Sequence, residues 1–177
     1  MTLLAPAVQV ALMLVVWTAC ILDLRSRRIP NWLTAGGVLL GFGLNALLYG
    51  RTGLWLSLQG LGFALAVYVP LFALRAMGAS DAKLMAAAGS LVGPWNWLGL
   101  FLITCLLNGA IAVILILTRK RFRKTVSNVI LILKEMAHFR PPHRAKPELE
   151  ATHASAVTMP HGAVIAFAAT VFLALNR

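Results

Sequence analysis

Asp23 and Asp81 are the only two aspartates in the 177-residue chain, and each stands at the edge of a long apolar run. Two carboxylates brought to one site do not both ionise cheaply, so one keeps its proton and the pair titrates as a unit. The ionised member can take a proton from water while the protonated member polarises a peptide carbonyl. That is acid–base hydrolysis of the aspartic-protease kind, and it needs no metal and no separate nucleophile. An ionisable side chain in or beside a membrane span is a functional candidate in its own right. Asp23 closes its apolar run, where a helix dipole disfavours an anion, so it is not there as a cap. Asp81 opens its run, and N-capping is the plainer alternative for it.

The residues around Asp81 suit a site approached by a main chain. Gly78 and the small Ala79 and Ser80 leave room for a substrate backbone beside the carboxylate, or else form a simple turn. Lys83 either biases the charge of the pair, holds a substrate carboxylate, or snorkels to the interface. Other chemistry is poorly served. Cys20 and Cys105 lie inside apolar runs and form no CxxC pair, so they read as small packing residues. The spacings of His138, His143, His153 and His161 match no metal pattern. No metal or cofactor is expected.

The elements that must position these residues follow from composition. Hydrophobic residues make up 60% of the chain and charged residues 12%, with mean hydropathy +0.83. This excludes an ordinary soluble domain and points to an all-α polytopic membrane protein. Apolar runs fall at about 6–22, 32–49, 54–74, 82–97, 98–118 and 157–175, which predicts six transmembrane helices in a single domain over 1–177. Pro30 suits the start of the second span, and the Gly50–Gly53 turn separates the second from the third. The fourth run is short. It either continues through Pro94 toward Trp97 or begins below the membrane surface, which would hold Asp81 at depth. Trp32, Trp55, Trp95 and Trp97 fall near the ends of runs, as interfacial anchors do.

Lys and Arg placement sets the orientation. With both termini outside, fourteen of the sixteen basic residues are cytoplasmic and only Arg51 and Arg177 are not. The net charge of +11 is then a topology signal, and nucleic acid is not expected as a partner, since the run Arg119–Lys124 interleaves only Phe122. Residues 119–156 form the one sizeable polar segment. Phe122, Val126, Val129, Ile130, Leu133 and Met136 recur there at helical spacing, which predicts a basic amphipathic helix on the inner face against anionic lipid. In this arrangement Asp23 and Asp81 share the cytoplasmic side.

Three stretches resemble the type IV prepilin peptidases of bacteria. Asp23 to Asn31, DLRSRRIPN, is similar to their first aspartate motif. Met77 to Gly89, MGASDAKLMAAAG, is similar to their second, usually GxGD followed by x-K-L. Met159 to Ala163, MPHGA, resembles their third marker, usually P-Y-G, which adds Pro160 and Gly162 to the site. Order, spacing and the six-span layout agree over nearly the whole chain. The resemblance implies a membrane aspartic endopeptidase of the bacterial inner membrane that removes the short basic leader of prepilins at the cytoplasmic face, with Asp23 and Asp81 catalytic. Longer relatives that also N-methylate the product carry an extra domain with two CxxC pairs between the first spans. Here eight residues, 24–31, separate them, which looks like the short, peptidase-only form of Flp/Tad-type pilus systems. Ser80 and His161 stand where the family usually has Gly and Tyr. Ser80 is expected to keep φ below zero and either to donate to Asp81 or to cap the helix.

Three rivals share some of these features. A presenilin-like intramembrane protease usually carries its first aspartate mid-helix, whereas Asp23 abuts the DLRSRR loop. A proton or ion pathway would line its spans with more polar groups than the scattered Asn45, Gln59 and Asn108. A structural membrane subunit with a lipid-binding tail needs neither aspartate.

Overall fold

A computed structural model of the chain describes residues 4–26, 29–74, 77–118 and 161–176. It contains four helices and, among the described residues, no strand: α1 (Pro6–Ser26), α2 (Asn31–Ala73), α3 (Ala79–Thr118) and α4 (His161–Leu175). The first three are long and apolar enough to cross a membrane, while α4 is a shorter apolar helix. The expected amphipathic segment 119–156 and the basic residues Arg27, Arg28 and Arg75 lie outside the described residues.

Two glycines break the long helices. Gly50 (φ 58°, ψ −135°) divides α2 into limbs 31–49 and 51–73, at the turn expected from the sequence. Its backbone lies in the left-handed half of φ space, which only glycine enters cheaply. Gly93 (φ 76°, ψ 173°) divides α3 into limbs 79–92 and 94–118. This break comes earlier than the expected boundary after Trp97. Pro94 has no N–H to continue the first limb and suits the first position of the second. The last helix is described over His161–Leu175, and residues 157–160 of the expected span lie outside the described residues.

The Gly93 break leaves carbonyls that the helix cannot satisfy, and α2 supplies the donor. The carbonyl of Ser90 would ordinarily be bonded by residue 94, which is proline. The Asn45 amide instead reaches Ser90 O at 3.2 Å and Leu91 O at 3.0 Å. The same nitrogen contacts Gly41 O at 2.9 Å and Ser57 Oγ at 3.0 Å, and Ser57 Oγ donates to Gly41 O at 3.1 Å. A buried unsatisfied carbonyl costs about 1–3 kcal/mol, so this node is what makes a break inside the bundle tolerable. Asn45, far from being scattered polarity, joins both limbs of α2 to the first limb of α3.

Limb 79–92 is the centre of the molecule. From Asp81 to Gly93 every residue except Lys83 is buried. Limb 31–49 runs parallel to it, with Gly37 against Ala87 and Gly41 against Ser90, and limb 51–73 runs antiparallel, with Gly60 against Gly89. The backbones of Gly60 and Gly89 touch, and a Cβ on either would collide with the other's carbonyl. A helix walled by protein need not match the bilayer. At ~1.5 Å per residue, this limb is about 21 Å long against a hydrocarbon core of ~30 Å.

Along α2 the packing is largely apolar outward and small or polar inward. The buried stripe of α2 includes Thr34, Gly37, Gly41, Asn45, Ser57 and Gly60, while Leu47 is 85% and Leu106 73% exposed. That distribution suits lipid as the surrounding solvent, where small residues let helices approach closely. Trp32, Trp55 and Trp95 are exposed, as interfacial anchors would be, but Trp97 is not. It is fully buried, donates from Nε1 to Met85 O at 3.0 Å and stacks on Phe101 with ring centroids 5.3 Å apart. The turn at Gly93 folds Trp97 back into the bundle, so it pins the two limbs of α3 together.

Candidate active site

Three helix ends meet at the two aspartates. Asp23 is in the last turn of α1, which continues to Ser26, and Asp81 is in the first turn of α3. α4 packs against both helices, and its Gly162 touches Asp23. Asp23 and Asp81 are within electrostatic reach of each other, and His161 is within reach of Asp81. The fold therefore brings together, from positions 23, 81 and 161, one end of the bundle where ionisable groups converge.

The two carboxylates are held differently. Asp23 is half-buried, and its Oδ2 accepts a hydrogen bond from the Gly162 amide at 3.0 Å. Gly162 is the second residue of α4, so this N–H is one that the helix itself leaves unpaired. The positive end of α4 thus offsets the unfavourable end of α1 at Asp23. Glycine is favoured here, because a Cβ at 162 would lie 3.0 Å from both Cβ and Oδ2 of Asp23 and press on the acid. Asp81 is 7% exposed, and among the described residues no donor hydrogen-bonds its carboxylate.

Asp81 is not the cap of α3. The helix starts at Ala79 and Ala82 N–H bonds Gly78 O at 3.4 Å, so Gly78 holds the N-cap position and Asp81 lies three residues in. The carboxylate leans back over Gly78, where a Cβ would sit 3.3 Å from Asp81 Oδ2. A side chain at 78 would press on the acid, so glycine keeps that face clear. Ser80 lies inside α3, whose one non-helical residue is Gly93; its φ is thus negative, as expected. Its hydroxyl makes no hydrogen bond to Asp81 among the described residues, which removes the support for tuning of Asp81 by Ser80.

Lys83 is exposed. Its Nζ donates to Asn31 Oδ1 at 2.9 Å, tying α3 to the first residue of α2. The last residue of the DLRSRRIPN stretch and the lysine of GASDAKL therefore form one latch beside the site. Neither partner was legible alone, because the bond spans 52 positions. Pro160 lies outside the described residues, as do His138, His143 and His153. Among the described residues no three His, Cys, Asp or Glu side chains converge as a metal site would require. His161 was the group that sequence reasoning undervalued. Its signal was its place beside Gly162, but only the packing of α4 against α3 brings it to Asp81.

The type IV leader peptidase family matches residues 10–113, more than half of the chain. The matched region takes in both aspartates and the Lys83–Asn31 latch, and stops short of α4. No curated protein and no solved structure matches the chain.

Proposed function

The chain belongs to the type IV leader peptidase family, and we propose that it is an aspartic-type endopeptidase whose catalytic pair is Asp23 and Asp81. The observation that carries the reading is the convergence of these two acids at one end of the bundle, with the α4 amide on one of them. Magnitudes assign the roles. A hydrogen bond from a backbone amide to a charged group is worth about 1.5–3 kcal/mol, whereas a helix terminus contributes about 0.3–1 kcal/mol. The Gly162 bond therefore outweighs both the unfavourable end of α1 at Asp23 and the favourable end of α3 at Asp81. Asp23 acts as the base, and Asp81, buried with no donor on it among the described residues, carries the shared proton.

In the reaction a substrate peptide lies in extended form beside Gly78. Asp23 takes a proton from water as its oxygen attacks the scissile carbonyl carbon, and Asp81 gives its proton to the carbonyl oxygen. Collapse of the tetrahedral intermediate breaks the C–N bond: the proton held by Asp23 passes to the leaving nitrogen, and one hydroxyl of the intermediate gives its proton back to Asp81 as the carbonyl re-forms. The products are a leader ending in a carboxyl group and a shortened chain with a free amino terminus. Both acids then return to their starting states.

The remaining assignments extend this reading. The limbs of α2 and α3, with α1 and α4, form six membrane-crossing segments with both termini outside, in one domain over 1–177. The site faces the cytoplasm of a bacterium from its inner membrane, and residues 119–156 lie on anionic lipid. The substrate is a type IV prepilin of the Flp/Tad kind with a short basic leader, and no methyl transfer accompanies cleavage. The positive-inside distribution, the short 24–31 connection and the missing CxxC pairs support these points.

The test is cleavage by the purified protein in bilayer vesicles, using a peptide with a basic leader joined to an apolar helix. N-terminal sequencing of the product should show one cut at the leader junction. Cuts within the apolar helix would favour an intramembrane protease, and no cut with any such leader would overturn the reading.

A further inference from the structure

The aromatic cluster around Trp97 holds one polar group that the fold does not use. The Tyr68 ring stands edge-on to Trp97 and Phe101, with ring centroids 6.2 and 5.9 Å apart. Packing accounts for the ring but not for the hydroxyl, since phenylalanine would pack the same way. Tyr68 is 2% exposed, so it does not reach a lipid headgroup as an interfacial tyrosine does. Among the described residues its hydroxyl makes no hydrogen bond, whereas a buried phenol ordinarily finds a partner.

Helix register places Tyr68 beside the acids. Limb 51–73 runs antiparallel to limb 79–92: Gly60 touches Gly89, and a Cβ on Gly89 would lie 3.1 Å from Ala64 Cβ. Two turns on from the first contact, residue 68 faces 81, and one turn on from the second it faces 85. The bond from Trp97 Nε1 to Met85 O at 3.0 Å sets the same level from the second limb of α3. Tyr68 thus lies between Asp81 and the next turn of α3, on the bundle side of the acid, and the electrostatic interaction of the phenol with Asp81 agrees with that level.

We propose that the Tyr68 hydroxyl donates a hydrogen bond to the main-chain carbonyl of the first substrate residue after the cut. This rests on the reading of the chain as a leader peptidase acting through Asp23 and Asp81. The substrate lies extended at the acids and continues into the bilayer as an apolar helix. At ~3.3 Å per residue, its first residue beyond the scissile bond comes level with Tyr68. Extended backbone has no internal partner and lipid offers none, so the protein must supply one. A buried donor without an acceptor therefore stands where the substrate brings an acceptor without a donor.

The experiment measures kcat/KM of the full chain in vesicles on the peptide with a basic leader joined to an apolar helix. Tyr68→Phe removes the hydroxyl and keeps the ring. kcat/KM should fall about tenfold, the worth of one hydrogen bond. The unfolding midpoint in detergent should stay level or rise, since the fold loses an unpartnered polar group. A second peptide carries an ester in place of the amide that follows the first residue after the cut, which weakens that residue's carbonyl as an acceptor. The parent protein should lose a similar factor on this peptide, and Tyr68→Phe should lose little more, because both changes remove one contact. Unchanged kcat/KM in Tyr68→Phe, losses that multiply, or activity that falls together with the unfolding midpoint overturns the proposal. If the variant fails to insert, the parent is compared on esters after the first and after the second residue beyond the cut. A loss on the first alone supports the proposal, and any other pattern overturns it. Retained cleavage by Asp81→Asn would instead bring down the underlying reading, so the two failures are distinguishable.

Discussion

Asp23 and Asp81 are the same side chain in two kinds of holder. Asp23 sits at a helix end that repels an anion and is rescued by a neighbouring helix, whose second amide donates to it. Asp81 sits at a helix end that welcomes an anion, yet it is enclosed among apolar residues with no donor on it among the described residues. The difference teaches that the roles of two chemically identical acids are set by what the fold adds, and here most of the addition comes from α4. It also explains why the backbone is so closely packed nearby. A Cβ at Gly162 would crowd Asp23, and one at Gly78 would crowd Asp81.

The comparison breaks most severely when either acid is removed. Asp23→Asn keeps an acceptor for Gly162 but no base, and Asp81→Asn keeps the shape but no proton to give. Each should lower leader cleavage by at least ~10²–10⁴-fold, measured under single-turnover conditions, while membrane insertion is unchanged. Gly162→Ala tests the holder alone. Its Cβ would press on Asp23, and since a misplacement of ~1 Å costs roughly 10²-fold, the smaller shift expected here should cost up to about that much. The loss should appear in kcat more than in KM. Equal activity in Gly162→Ala would mean that the α4 contact does not orient the acid.

Smaller effects separate the site from its scaffold. Asn45→Leu removes the donor from Ser90 O and Leu91 O and should destabilise the bundle by about 1–3 kcal/mol, read as a lower unfolding midpoint in detergent. The surviving folded protein should keep most of its activity, since Asn45 is remote from both acids. Lys83→Met breaks an exposed bond to Asn31, worth no more than ~1 kcal/mol, so it should change cleavage only a few-fold. An inactive Lys83→Met would move this lysine from latch to catalysis.

Much of this arrangement was legible in the sequence because membrane proteins write their spans in long apolar runs. The two acids stood out for their rarity, and the α2 turn for its paired glycines. What escaped depends on contacts between distant positions. Asn45 looked incidental because its partners are carbonyls released by a break 45 and 46 positions away. Trp97 resembled an interfacial anchor until the Gly93 turn folded it inward. His161 acquires meaning only when α4 docks. Periodicity reports which face of a helix is apolar, but not which carbonyl lacks a donor or which helix end meets which side chain.

The central claim is that Asp23 and Asp81 act as one unit. The most direct test compares the cleavage rates of Asp23→Asn, Asp81→Asn and the double variant Asp23→Asn/Asp81→Asn on the same leader peptide in vesicles. Groups that act together lose their effect together. The account predicts that all three variants fall to the same residual rate. Losses in the two single variants that multiply in the double variant, or substantial cleavage by either single variant, would contradict it.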